Sequence, residues 1–195
     1  VSVATFALTF PDHPKSSAWL DHAESELRYQ LNFSVFPGTK DSGGAWQGGI
    51  RYHGAVLRCV IPLAYALRRH GRFDAFQDDN FKALLRYLIL VQTPRDKTAN
   101  NCALTPALSD SLWEPSWEAT LGWAAPGVAD ADLALAAELS FYWERACSPL
   151  SVENSPGNWL VPFLFVDTRL APSLPQRPRP SVHLSSGITV LRGGD

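Results

Sequence analysis

Methionine is missing from all 195 residues of this chain. Without an initiator, the sequence is expected to be a piece of a longer polypeptide, with the remainder of the same protein on both sides. Excess charge is lacking too: 17 Lys and Arg against 19 Asp and Glu leave a formal net charge of -2. Such a chain creates no positive field that would draw in a polyanion from a distance, so nucleic acid is not an expected partner, and an anionic ligand would have to be gripped by local residues. No apolar run approaches the about 20 residues that a bilayer span requires, and the longest are broken by Arg, Pro or Asp, so membrane insertion is not expected. The three cysteines, Cys59, Cys102 and Cys147, have neither CxxC nor Cys/His metal spacing. They are read as small buried hydrophobes, with one disulfide as the alternative. No metal or cofactor is expected in the chain. The GxSxG elbow, the HExxH pair and both glycine-rich phosphate loops are absent, which removes support for nucleophilic hydrolases, zinc proteases and nucleotide binders.

What remains is a chain 46% hydrophobic and 18% charged, enough apolar side chain for a sizeable core. Apolar residues recur at intervals of three and four through the first two thirds, the pattern of amphipathic helices packed on one another. One helix is expected from Ser17 to about Phe33, with Trp19, Ala23, Leu27 and Leu31 inward. A second should run from about Gln47 to His70, with Val56, Val60, Leu63 and Leu67 inward, a kink at Pro62, Arg68 and Arg69 at its negative end and Gly71 as terminator. A third is expected from about Asp79 to Gln92, opening after Asp78 and stopping before Pro94. Residues 93–108 read as a long loop. Ser111 and Glu114 fit a capping box for a short helix through Trp117 to Trp123, and a further helix is expected from Ala131 to Arg145, capped by Asp130.

Composition changes after that. Four prolines and two arginines crowd residues 172–180, which favours an extended connector. Residues 182–192 are β-branched and partly alternating around Gly187, as in an opening strand or strands. The expected division is a helical domain over 1–168, a proline-rich linker over 169–181 and the beginning of a β domain over 182–195. Helix following helix suits an antiparallel array such as a toroid or solenoid.

The densest concentration of chemistry lies between Gly43 and His53, where a glycine-rich turn delivers Trp46, Gln47, Arg51, Tyr52 and His53 to the start of the second helix. Helix N-termini carry unpaired N–H groups that favour a carboxylate. Tyr52 could exchange a proton with substrate if a nearby cation lowered its pKa, and Arg51, His53 and Arg58 are close in sequence. Against this stands the ordinary alternative that Tyr52 and His53 pack in the core. Seven tryptophans offer flat faces for sugar rings, with Trp46, Trp113, Trp117 and Trp123 the candidates, although large aromatics also fill helical cores. Asp110, Glu114 and Glu118 could form a glycosidase carboxylate pair, but capping and surface roles explain them equally well.

Several stretches taken in order resemble the heparinase II/III-like polysaccharide lyases: the helix Trp19 to Val35, the turn Phe36-Pro37-Gly38-Thr39, the glycine stretch leading to Tyr52-His53, and the long helix ending Ala66-Leu67-Arg68-Arg69-His70-Gly71. The run Thr93-Pro94-Arg95-Asp96, the triplet Ser109-Asp110-Ser111 and the tail Ser186 to Arg192 continue the likeness. The resemblance implies an incomplete (α/α) toroid of antiparallel helices, a linker and the first strands of a β-sandwich. It also implies β-elimination on an acidic, uronate-containing polysaccharide of heparin, heparan or alginate type, and a periplasmic or secreted location. On that pattern Tyr52 matches the catalytic tyrosine and His53 the adjacent histidine that supports the site, while Trp46, Gln47 and Arg51, delivered by the same glycine-rich turn, are expected to contact substrate. Two positions depart from the pattern: Gln47 stands where Glu is common, and Gly38-Thr39 replaces Asp-Gly. Further site residues would lie beyond both ends, so the piece alone is expected to be inactive. The rival expectations are a carbohydrate-binding helical scaffold without catalysis and a toroid glycoside hydrolase.

Overall fold

The computed structural model describes residues 2–35, 44–47, 49–93, 95, 97, 103–106, 114–115, 118–144, 169–173, 181–183 and 189–191. These are mainly helical, as expected. The α-helices are α1 (Ser2–Thr9), α2 (Ser16–Phe33), α3 (Gly49–Arg69), α4 (Asp79–Leu90), α5 (Glu118–Val128) and α6 (Leu133–Glu144), with a 3-10 turn at Ala75–Gln77. Two short antiparallel ladders accompany them: β1 (Leu104–Thr105) with β2 (Glu114–Pro115), and β3 (Val182–His183) with β4 (Thr189–Val190).

The helix ends obey local chemistry. Gly71 takes φ +66, a conformation that costs a residue with a Cβ, and so lets α3 close with Arg72 N–H on the Leu67 carbonyl and Gly71 N–H on that of Arg68. The Asp78 side chain accepts from the N–H groups of Asn80 and Phe81 and opens α4, while Asp74 does the same for Phe76 in the 3-10 turn. At α6 the cap differs from the expectation. Asp132, not Asp130, accepts from Leu135 N–H at 3.0 Å. Asp130 instead pairs with Arg68, whose other guanidinium nitrogen donates to the Gly127 carbonyl in the last turn of α5. The capping box at Ser111 and Glu114 gives way as well, because Glu114 lies in β2 and the helix begins at Glu118.

α1 was not anticipated; it packs on α2, where Ser16 Oγ donates to the Ala7 carbonyl at 2.8 Å. On α2 the buried stripe is Leu20, Ala23, Leu27 and Leu31, and Trp19 is only partly covered. α3 runs through Pro62 without interruption, and its buried side is only partly the expected one: Leu63 and Leu67 are buried as expected, but Leu57, Ile61 and Ala64 enter the core where Val56 and Val60 are half-buried. The physical reason is that α3 is apolar over a wide arc, so two flanks compete for burial and periodicity alone does not choose between them.

α4 is the centre. Eight of its residues, from Phe81 to Leu90, are buried, and it touches α2, α3, α5 and α6. Arg86 leaves α4 to pair with Asp132, fastening it to the start of α6. Beneath α5 lies Phe76, fully enclosed, with the rings of Tyr65 at 4.6 Å and Phe81 at 5.4 Å. A Cβ on Gly127 would come within 2.4 Å of the Phe76 ring, so α5 approaches this closely only because the position is glycine. Residues 169–173, placed in the linker by composition, dock on the helices: Leu170 packs against the core and Ser173 N–H donates to the Ala137 carbonyl at 3.0 Å.

Candidate functional site

A groove of about 420 Å³ runs between α2 and α3. Its walls are largely aliphatic, with Ala23, Leu27 and Leu31 from α2 facing Val56, Val60 and Leu63 from α3. Trp46 and Tyr52 add aromatic surface, and Leu84 of α4 also contributes. Polar groups come from α2, where His22, Glu26 and Gln30 recur every four residues and therefore share one helix face; Gln30 donates to Glu26 at 2.6 Å. Among the described lining residues there is no Lys or Arg.

Tyr52, in the first turn of α3, is 51% exposed. It therefore faces solvent beside the groove rather than lying in the core. Trp46 reaches the same groove from the segment 44–47, which is held at every residue but one by a named hydrogen bond. Gly44 N–H donates to the Ala83 carbonyl of α4 at 2.8 Å, Trp46 N–H to His53 Nδ1 at 3.2 Å, and Gln47 N–H to the Ser34 carbonyl at 3.0 Å. A β-bridge joins Trp46 to Val35.

His53 is 1% exposed and packs against Tyr87, ring centroids 4.9 Å apart. Its tautomer follows from its partners. An amide N–H can only donate, so Nδ1 carries the lone pair; the Leu84 carbonyl, 2.8 Å from Nε2, can only accept, so Nε2 carries the proton. Burial, opposed by the bond to Leu84, lowers its pKa from 6.5 to about 4. With both nitrogens occupied by backbone, the ring acts on the site through Trp46 and has no atom left over for a ligand. Arg51 lies in α3, but its side chain is outside the described residues.

Gln47 is exposed, and its amide donates to the Phe33 carbonyl at 2.7 Å. That carbonyl is one of the orphan acceptors at the end of α2. A glutamate in its place has no donor to give and sets a negative charge at the negative end of the helix. Gln47→Glu is therefore expected to lower stability by about 1 kcal/mol, measured by urea denaturation at neutral pH. A variant as stable as the parent would show that the amide bond contributes nothing.

Other residues singled out from sequence lie elsewhere. Trp123 is buried at 3% exposure, its carbonyl accepting from Tyr65 Oη at 2.9 Å, and so is core rather than a sugar platform. Trp113, Trp117 and Asp110 fall outside the described residues, as do the side chains of Glu114 and Glu118. Cys59, expected to be buried, is a free, exposed thiol on the groove wall; Cys102 and Cys147 lie outside the described residues. His22, Glu26 and Cys59 were missed as groove residues. The four-residue spacing on α2 was the available signal. No family model, no curated protein and no solved structure matches the chain.

Proposed function

We propose that this chain is the tyrosine-bearing helical part of a polysaccharide lyase, in which an incomplete (α/α) toroid precedes a β-sandwich. The observation that carries the reading is the position of Tyr52, exposed in the first turn of α3 and lining the same groove as Trp46. In β-elimination a base takes the C5 proton of a uronate, the electron pair becomes the C4–C5 double bond, and the C4–O bond breaks as the departing oxygen receives a proton. A phenol beside a groove can serve in proton removal, in protonation of the departing oxygen, or in both. Trp46 offers a flat apolar surface to a sugar ring, and the aliphatic walls suit the C–H faces of a pyranose. Neutralising the uronate carboxylate calls for hydrogen-bond donors or a cation at the sugar, and Arg51, one residue before Tyr52 on α3, is proposed as a substrate contact.

A second reading is favoured by the groove itself. With no Lys or Arg among its described lining residues and Glu26 on its wall, it is better suited to neutral sugar surface than to a row of carboxylates. A carbohydrate-binding helical scaffold without catalysis fits that lining. The two are separated by incubating the full-length protein that carries this chain with heparan sulfate or alginate. The lyase releases unsaturated uronate, seen as new ultraviolet absorbance; retention of polysaccharide with no new absorbance selects the scaffold. New reducing ends without absorbance would mean hydrolysis and would overturn both.

A further inference from the structure

Within the segment 44–47, the N–H of Trp46 is tied to α4 by a side chain that bridges two backbones. His53 stands between the Leu84 carbonyl of α4 and the N–H of Trp46, and the two bonds, at 2.8 and 3.2 Å, use both faces of one neutral tautomer. We infer that His53 is a positioning residue for Trp46, and that a proton added to its ring releases Trp46 from the groove. The inference rests on the reading of Trp46 as a wall of the binding groove.

The argument is one of donor and acceptor matching. A proton can enter the ring only at Nδ1, where it turns the acceptor into a donor facing the N–H of Trp46. Two donors then oppose each other in a space that is 1% accessible, with a buried cation between them. The remaining ties of the segment, Gly44 to Ala83, Gln47 to Ser34 and the bridge to Val35, flank Trp46 and do not replace the lost acceptor. The surroundings offer little relief. On α4, Tyr87 packs on the ring, while Lys82 and Arg86 are engaged by Asp79 and Asp132. On α2, His22 and Glu26 lie on the groove wall, and α3 itself carries Tyr52, Arg58 and Cys59.

The sign follows from linkage. The ring's affinity for a proton is lower in the folded chain, about 4 against 6.5, so the clamp contributes fully above pH 6.5 and its contribution falls as the pH drops toward 4. The test labels the chain with 5-fluorotryptophan and assigns the Trp46 fluorine resonance by Trp46→Phe. In the wild type this resonance is expected to stay fixed from pH 8 to about 5 and then to move with a midpoint near pH 4. His53→Gln, whose amide can accept from Trp46 and donate to Leu84 but does not titrate, should keep the wild-type position at pH 7 and lose the acid transition. His53→Leu should show the released position already at pH 7. A Trp46 resonance that moves only together with those of the other tryptophans, or a His53→Gln variant with an unchanged transition, overturns the inference. Because no sugar enters the measurement, failure here leaves the lyase proposal standing, and failure of the lyase proposal leaves the clamp standing.

Discussion

Tyr52→Phe in the full-length protein is expected to reduce the release of unsaturated uronate by roughly 100- to 10,000-fold, the usual worth of a positioned general acid or base. The change deletes one oxygen. The ring, the groove wall and the packing of Trp46 stay as they were, and because Tyr52 is half exposed the stability should move by no more than about 0.5 kcal/mol. Lost turnover at unchanged melting temperature is thus the signature to look for, with polysaccharide affinity close to that of the parent. Turnover near the wild-type level would remove Tyr52 from the reaction and leave the scaffold reading in possession of the groove.

The largest effect on stability is expected at Phe76→Ala. The ring is fully enclosed, meets Tyr65 and Phe81, and sits under the glycine that admits α5. Removing it forfeits the transfer energy of a large apolar side chain and leaves a cavity that the helices around it fill only in part, a loss of about 3–5 kcal/mol. For a chain of this size that corresponds to a fall in melting temperature of roughly 6–20 °C. Phe33→Ala is the matched control: the same side chain, 64% exposed, should change stability by no more than about 0.5 kcal/mol. Equal losses at the two positions would contradict the assignment of Phe76 to the core.

Punctuation was the most legible part of the fold. Gly71 ends α3 and Asp78 opens α4 because a positive φ and a capping carboxylate are decided within a few residues of sequence. Which face a helix buries was less legible. On α3 the stripe through Val56 and Val60 proved to be the groove side and Leu57 and Ile61 the core side, a choice made by neighbours distant in sequence. The misplaced cap at α6 has a similar origin. Asp130 and Asp132 are equivalent as local signals, and Arg68 and Arg86, arriving from α3 and α4, assign them different work. At the candidate site, local spacing placed Trp46, Gln47, Tyr52 and His53 together, yet could not separate the exposed phenol from the enclosed imidazole. That distinction depends on Leu84 and Tyr87, more than thirty residues further on.

Cys59 gives the groove a chemical liability. Its sulfur occupies the same wall as Val56 and Val60, so an alkyl adduct or a mixed disulfide there would project into the groove volume proposed for a sugar ring. If the proposal holds, ligand and adduct are expected to exclude each other, each protecting against the other. Preparations handled in air without a reductant would accordingly read as weakened binders for reasons unconnected with Tyr52, while shielding of this thiol by a saturating oligosaccharide would report occupancy in a protein that cleaves nothing.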